Sequence, residues 1–311
     1  MKNVFIDGSA GTTGLRIRER LADRTDISLI VLPEEKRKDT AARREALNAA
    51  DIAFLCLPDA AAVEAVELIA NEKTAVIDTS TAHRTAAGWT YGFPELFGLR
   101  EKIALSKRIA NPGCHASGFV ALVAPLVHAG VLSPDAVLSA FSLTGYSGGG
   151  KKMIAEYEDA ARSELLAAPR QYGLSQQHKH LPEMQVVSGL SAAPLFSPIV
   201  GDYYAGMEVT VPLLSSTVKG GAARVAEIYA ETYREGLVHF VPELSGEGGF
   251  LSAGAFAGRD DMEVGVVGNG ERMLLVARFD NLGKGASGAA IQNMNILLGV
   301  PEDTGLVVGG K

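Results

Sequence analysis

The sequence predicts an α/β fold: a Rossmann-type doubly wound parallel sheet followed by a second α+β domain built on a mainly antiparallel sheet. Three observations predict it. Short β-branched apolar runs alternate with longer amphipathic runs as far as Ser80, a glycine-rich turn follows the first of them, and from about Phe141 alternating strands dominate instead. At 311 residues and 47% apolar composition, the chain can fill two cores.

The elements follow in order. "NVFIDG", "ISLIVL", "DIAFLCLP" and "TAVIDTS" are continuous apolar runs of the kind buried on both faces of a parallel sheet, and "GLRIRERLAD", "TAARREALNAA" and "AAAVEAVELIANE" are the helices between them. Ligand-facing residues then belong at the carboxyl ends of the strands. "ASGFVALVAPLVHAGVL" follows a helix-start signal and contains Pro125 and His128, so it reads as a buried helix rather than a membrane span. "VLSAFSLTGYSG", "GMEVTVPLL" and "MEVGVVGNGERMLLVARFDNL" are the strands of the second sheet. "GASGAAIQNMNILLGV" is a final helix, with Ile291, Met294, Ile296, Leu297 and Leu298 available for burial, that returns to the first domain. The glycine clusters at 148–150 and 246–249 are expected to be loops. The resulting boundaries are 1–113 with 284–311 for the dinucleotide-binding domain, and 114–283 for the catalytic, substrate and oligomerisation domain.

Lys plus Arg total 29 against 36 for Asp plus Glu, a formal charge of −7, which argues against a protein that embraces nucleic-acid phosphates. Two cysteines cannot build a disulfide framework, and "MKNVFIDG" enters directly into a strand pattern, so a cytoplasmic location without membrane attachment is expected.

Gly8, Gly11 and Gly14 lie between the first strand and the first helix, spaced GxxGxxG rather than GxGxxG. Glycines there permit a tight turn and let backbone amides approach a phosphate at a helix N-terminus; the plainer reading is a turn that packs helix on strand. Glu34 and Glu35 suit the ribose hydroxyl of NAD, but Lys36, Arg37 and Lys38 follow at once and suit a 2'-phosphate, so NADP(H) is the expected cofactor.

Cys114 follows "NPG" and starts a predicted helix, where exposed amides and the macrodipole stabilise a thiolate; the alternative is a buried cap residue. Cys56, in mid-strand, reads as packing. In "QQHKHLPEM", His178 and His180 fall on one side of a strand or extended loop and could address a single thiol as acid and base. A metal site is not expected, because ligand-spaced clusters are lacking. His83, His115, His128 and His239 read as structural, with His115 set apart as the neighbour of Cys114. In "IDTSTAHRT", Asp78, Ser80, Thr81 and Arg84 face the ligand side, where an arginine can grip a phosphate or carboxylate or simply lie on the surface. "TGYSGGGKK" is a small-residue loop that suits anion binding as well as a plain hairpin.

Together, "GSAGTTG", "DTSTAHR", "YGFPEL", "NPGCH", "GYSGGGK", "HKHLPEM" and "DNLGKGASGAAIQNMN" make the chain resemble N-acetyl-gamma-glutamyl-phosphate reductase, particularly its shorter form, and more distantly aspartate-semialdehyde dehydrogenase. The resemblance spans nearly the whole chain. It implies Cys114 as nucleophile, with His180 the favoured acid and base and His178 close behind. It implies Gly8, Ser9, Gly11, Thr12, Thr13 and Gly14 around the NADP pyrophosphate; Lys36, Arg37 and Ser80 are the further cofactor candidates from the residues themselves. "NLGKGASG" would lie near the nicotinamide, through Asn281, Lys284 and Gly285. Arg84, Ser147, Gly148, Lys151 and Glu183 are the candidates for substrate and phosphate. The chain departs from the longer members in carrying His115 where they have tyrosine and Leu181 where they have threonine. The implied reaction is NADPH-dependent reduction of N-acetyl-L-glutamyl 5-phosphate to the 5-semialdehyde and phosphate through a cysteine thioester, in arginine biosynthesis, by a homodimer or homotetramer. Aspartate-semialdehyde dehydrogenase, whose cysteine typically follows asparagine directly where Gly113 stands here, or a related acyl-phosphate reductase, is the alternative activity. An NADP-binding regulatory protein with an inert Cys114 is the non-enzymatic alternative.

Overall fold

Six parallel strands form the sheet of the first of two units: β1 (Lys2–Asp7), β2 (Ile27–Ile30), β3 (Ile52–Leu55), β4 (Ala75–Asp78), β5 (Thr90–Tyr91) and β6 (Arg108–Ala110), in the spatial order β2-β1-β3-β4-β6-β5. The computed structural model describes residues 1–244 and 248–309. Its first unit comprises residues 1–112 and 286–306, its second 113–285 with the tail from 307. Helices α1 (Thr12–Leu21), α2 (Thr40–Ala49), α3 (Asp59–Glu67) and α4 (Leu99–Leu105) connect the strands of the first sheet.

Alternation along the strands sends Val4, Ile6 and Phe54 to one core, with Ile17, Leu21 and Ile103 of α1 and α4, and Phe5, Ala53 and Leu55 to another, with Leu47 and Ala62 of α2 and α3. The final helix, Gly288–Leu298, joins the first core: Ile291 and Met294 are fully buried, while Ile296, Leu297 and Leu298 pack partly against it. Strand order reverses between β1 and β3, so a crevice opens where the carboxyl ends of these strands diverge, at Gly8.

The second unit opens with α5 (Cys114–His128), apolar on every side and almost wholly buried. Beyond it lie β7 (Ser139–Gly145), α6 (Gly150–Glu158), β8 (Arg170–Gln171), α7 (Leu181–Ser188), β9 (Leu195–Gly201), β10 (Met207–Leu214), α8 (Gly221–Thr232), β11 (Val238–Phe240), β12 (Met262–Gly268) and β13 (Arg272–Phe279). The sheet order is β11-β12-β13-β10-β7-β9-β8; β7–β9 and β11–β12 pair in parallel and the other pairs are antiparallel. Gly118 lets α5 sit against Val209 and Phe279, where a Cβ would collide with both. Pro125 cannot donate to the carbonyl of Ala121, one turn earlier; the hydroxyl of Tyr233, just beyond α8, does so instead at 2.5 Å.

Two local expectations change. The segment 144–152 is neither an open loop nor a hairpin: a 3-10 turn, Tyr146–Gly149, breaks at Gly150 (φ +71) and the lysines then enter α6. "KKMIAEYE" has few residues that resist a helix, so the glycines only mark its start. "HKHLPEM" is not extended either, since Pro182 in the first turn and Glu183 near the helix N-terminus favour α7. Of the glycine cluster at 246–249, Gly246 and Glu247 lie outside the described residues; Gly248 and Gly249 form a turn.

Candidate active site

Cys114 is the first residue of α5, and Gly113 (φ −80, ψ 147) is its N-cap, so the thiol stands where the helix dipole is positive. The first intrahelical bond, Ser117 N to Gly113 O, is followed only later in the helix by others; the amides of Cys114, His115 and Ala116 precede it. The turn is pinned from α7: the buried carboxylate of Glu183 accepts from Gly113 N at 2.8 Å. Glu183, expected at the substrate, is thus a brace for the cysteine. Gly285 runs against the other side, where a Cβ would lie 3.0 Å from Cys114 Cβ, so a side chain there would crowd the thiol.

Three imidazoles gather around the residue that follows the cysteine. Ring centroids of His178 and His180 are 4.8 Å apart, and His115 lies 5.4 Å and 5.6 Å from them. His180 N donates to His178 Nδ1 at 3.2 Å, which places the His178 ring proton on Nε2. The pair therefore meets through a turn at the start of α7, not through alternation along a strand. Burial, helped by the charge of Lys179, pushes His178 down to about 4; burial with the His178 and Lys179 charges pushes His115 down to about 3. Both are neutral at physiological pH. Among the described residues no group of three or more His, Cys, Asp or Glu side chains is arranged to hold a metal ion.

Asn281 and Ser147 come together in this unit: Asn281 Nδ2 donates to Ser147 Oγ at 3.0 Å, and Asn281 Oδ1 accepts from Gly206 N. Gly148 backs onto the same amide. Lys284 is fully buried, whereas Lys151 is exposed in the first turn of α6.

In the first unit, a cleft of about 530 Å³ is lined by Asp7, Gly8, Ser9, Arg18, Glu34, Glu35, Arg37, Lys38 and Arg43, with apolar walls from β1 and β2. Gly8 has φ +85 and its missing Cβ would strike the Cys56 carbonyl; Gly14 presses on Gly8 and Ser9. Gly11 caps α1 without any side-chain cap, so the amides at Thr12 and Thr13 face out of a helix start that admits a phosphate. The donor set fits a dinucleotide: glycine backbone for the pyrophosphate, cations for a 2'-phosphate. Arg37 lines the cleft and Lys36, in the same turn, does not. Arg18, one helical turn beyond Gly14, was not singled out by the sequence reading, although its i+4 spacing from that glycine was the available signal.

Ser80 is held by Asp78, its hydroxyl donating to Oδ2 at 2.7 Å and its amide to Oδ1 at 2.9 Å. His83 Nδ1 lies 2.6 Å from Asp78 Oδ2 and its ring stacks on Trp89. Arg84 donates to two carbonyls, Asn111 O and Thr79 O, and so ties the end of β4 to the turn after β6. Cys56 packs beside the first core; burial, with the Asp78 and Asp7 charges, pushes its thiol up to about 12.

Comparison with known proteins adds three findings. The family models "Semialdehyde dehydrogenase, NAD binding domain" and "Semialdehyde dehydrogenase, dimerisation domain" match residues 3–106 and 114–281. Among curated sequences, N-acetyl-gamma-glutamyl-phosphate reductase 2 of Nostoc sp. is 46% identical over 97% of this chain and 98% of its own length. The N-acetyl-gamma-glutamyl-phosphate reductase of Brucella ovis is 48% identical over 95% and 98%. Among solved structures, aspartate semialdehyde dehydrogenase II from Vibrio cholerae shares the fold at TM-score 0.71 and 17% identity, covering 96% of this chain and 98% of its own. The Candida albicans enzyme, solved with NADP, does so at 0.62 and 13%, covering 95% and 98%.

Proposed function

The chain belongs to the N-acetyl-gamma-glutamyl-phosphate reductases of the semialdehyde dehydrogenase family, and from that premise we propose that it reduces N-acetyl-L-glutamyl 5-phosphate with NADPH to the 5-semialdehyde and phosphate, in arginine biosynthesis. The observation that carries the reading is Cys114 as the first residue of α5, one residue before His115, whose ring meets those of His178 and His180, with Gly285 packed against the Cys114 Cβ.

His180, set at the start of α7 with His178 against it, takes the proton of Cys114. The thiolate attacks the acyl carbon; the C–S bond forms as the C–O bond to phosphate breaks, and phosphate leaves. The Gly8–Gly14 turn and Arg37 would hold the dinucleotide, which when bound would supply the hydride for the thioester carbonyl. Amides at the start of α5 face the negative charge that develops on the carbonyl oxygen. That oxygen then re-forms its double bond and expels the thiolate, to which His180 returns the proton. Asn281 and Ser147 hold the loop that carries Gly285, and Arg84 holds the turn that carries Cys114; these three act by placement. The lysine at 151 and the amides of Ser147 and Gly148 remain the proposed contacts for substrate anions. The enzyme is further read as cytoplasmic and as a homodimer or dimer of dimers; the second family model, described as a dimerisation domain, supports pairing of copies.

The test follows NADP reduction in the reverse direction, with phosphate present, for N-acetylglutamate semialdehyde beside aspartate semialdehyde. Phosphate-dependent turnover of the acetylated compound, lost in Cys114→Ser, is expected. Preference for aspartate semialdehyde moves the chain to the sister activity, and bound NADP without turnover of either revives a regulatory role.

A further inference from the structure

Gly285, which backs onto Cys114, lies in a single π-helical turn, Gly283–Ser287. Such turns are rare and recur at functional sites. The turn is held upstream by Asp280, whose carbonyl accepts from Gly283 N and from Gly285 N at 3.0 Å each. Downstream it is held from outside: the carbonyl of Ala286, the residue after Gly285, accepts from Asn111 Nδ2 at 3.0 Å. Asn111 is 1% exposed and stands at the end of the stretch that leads through Pro112 and Gly113 to Cys114. One side chain therefore joins the two stretches of chain that flank the thiol.

The backbone of Asn111 is fixed as well. Its amide donates to Asp78 O at 2.7 Å, its carbonyl accepts from Arg84 Nε at 3.0 Å, and the following proline restricts it to the extended region. Carbonyls, which only accept, set the direction of the side-chain amides. Asn293, fully buried, donates through Nδ2 to Gly92 O at 3.0 Å, so the same nitrogen faces Asn111 Oδ1, 3.4 Å away. Asn111 Nδ2 is then the group that meets the Ala286 carbonyl. A Cβ at position 285 would lie 3.0 Å from Cys114 Cβ and 3.2 Å from the Phe279 ring, so the turn already touches the start of α5. We infer that Asn111 is a positioning residue, which ties the π-turn to the chain entering α5 and so sets the space beside the Cys114 thiol in which the acyl group must lie. Asn111 touches no substrate and moves no proton in this role. Its kinetic consequence rests on the reductase reading above; its effect on access to the thiol does not.

Asn111→Asp keeps size and shape but sets a carboxylate oxygen against the Ala286 carbonyl, and Asn111→Ala removes the tie. Both are compared with the wild type by circular dichroism, NADP titration, iodoacetamide alkylation of Cys114 at pH 8 and steady-state rates. The dichroism spectrum is expected to be unchanged and NADP affinity to stay within about 3-fold, because the Gly8–Gly14 turn is untouched. Alkylation of Cys114 is expected to rise at least about 3-fold as Gly285 is released from it. With the near-attack geometry lost, kcat is expected to fall on the order of 10- to 100-fold while KM changes by less than about 3-fold. A role in stability alone would lower the melting temperature and leave both rates of the folded protein as they are. Unchanged alkylation, or a kcat within about 2-fold of wild type, overturns the proposal. Should neither variant fold, Asn293→Ser decides, since it takes away the donor that orients the Asn111 amide: alkylation and turnover both within about 2-fold of wild type overturn it. A wild type inactive on both semialdehydes refutes the reductase reading itself, and the alkylation rates then decide the role of Asn111 on their own.

Discussion

The two thiols of the chain differ by what surrounds them. Cys56 follows a buried strand among apolar side chains and near two carboxylates, and its thiol is pushed up to about 12, so it stays protonated at pH 8. Cys114 faces a helix N-terminus with amides toward it. Iodoacetamide at pH 8 should therefore modify one thiol per folded chain, and none in Cys114→Ser; rapid labelling of Cys56 would contradict the burial argument. The histidines carry a second prediction. His115 and His178 bind protons less readily folded, near 3 and 4, than unfolded, near 6.5, so between those values the unfolded chain holds more protons. Stability then rises with pH through this window and falls on acidification, by up to about 1.4 kcal/mol per pH unit for each fully buried imidazole. The half-exposed His178 contributes less. Urea midpoints measured from pH 7 to pH 4.5 should fall, with a shallower slope in His115→Gln; the other groups facing that ring, His178, His180, Tyr172 and Lys179, are unchanged in the variant. Cys114, His178 and His180 were legible because each stands in a local pattern with chemical meaning. Tyr172 and Ser142 were not: they reach the site from separate strands of the second sheet, and sequence spacing carries no trace of that convergence.

At the scale of elements, turns between strand and helix were read best, because a backbone that needs φ above zero leaves glycine as its mark. Gly8, at φ +85 and against the Cys56 carbonyl, has both reasons to be glycine. Gly8→Ala should cost on the order of 2 kcal/mol of stability and weaken NADP binding at least about 10-fold, from strain at the turn and displacement of the strand beside it. Melting temperature and NADP titration check this; an unchanged affinity would mean that the turn does not cradle the cofactor. Glycines misled the reading where they precede a good helix former. At 148–150 three of them suggested a loop, yet Lys151 to Glu158 forms α6, since only Gly150 needs the unusual backbone. The same limit explains "HKHLPEM", whose expected extended form gives way to α7 because Pro182 is at home in the first turn of a helix.

At the scale of the molecule, the second sheet is amphipathic in a way that one chain does not use up. Ala140, Ser142, Phe196, Val209, Val211 and Leu275 point to the face that α5 and α8 cover. The pairing register puts Phe141, Leu143, Ile199, Thr210 and Leu274 on the other face, where Phe141 is 45% and Leu274 41% exposed. Continuing that face, Glu208 is half-buried with its carboxyl pushed up, chiefly by desolvation, beside the Arg278–Glu263 ion pair. Apolar side chains flanked by a desolvated carboxylate and a buried ion pair describe a surface built for cover rather than for water. A twofold arrangement of such a sheet against a second copy would bury like against like, and the family model over residues 114–281 is described as a dimerisation domain. Phe141→Glu combined with Leu274→Glu places two charges on each copy at the centre of that contact. Both side chains are exposed on one chain, so the fold should be retained while the contact carries four uncompensated charges. Sedimentation velocity at about 10 μM should show the wild type as a dimer or larger and the double variant as a monomer with an unchanged circular dichroism spectrum, since a contact of about 800 Å² per partner cannot absorb unpaired buried carboxylates. A wild type that sediments as a monomer would leave the exposed face unexplained and remove the dimer from the proposal.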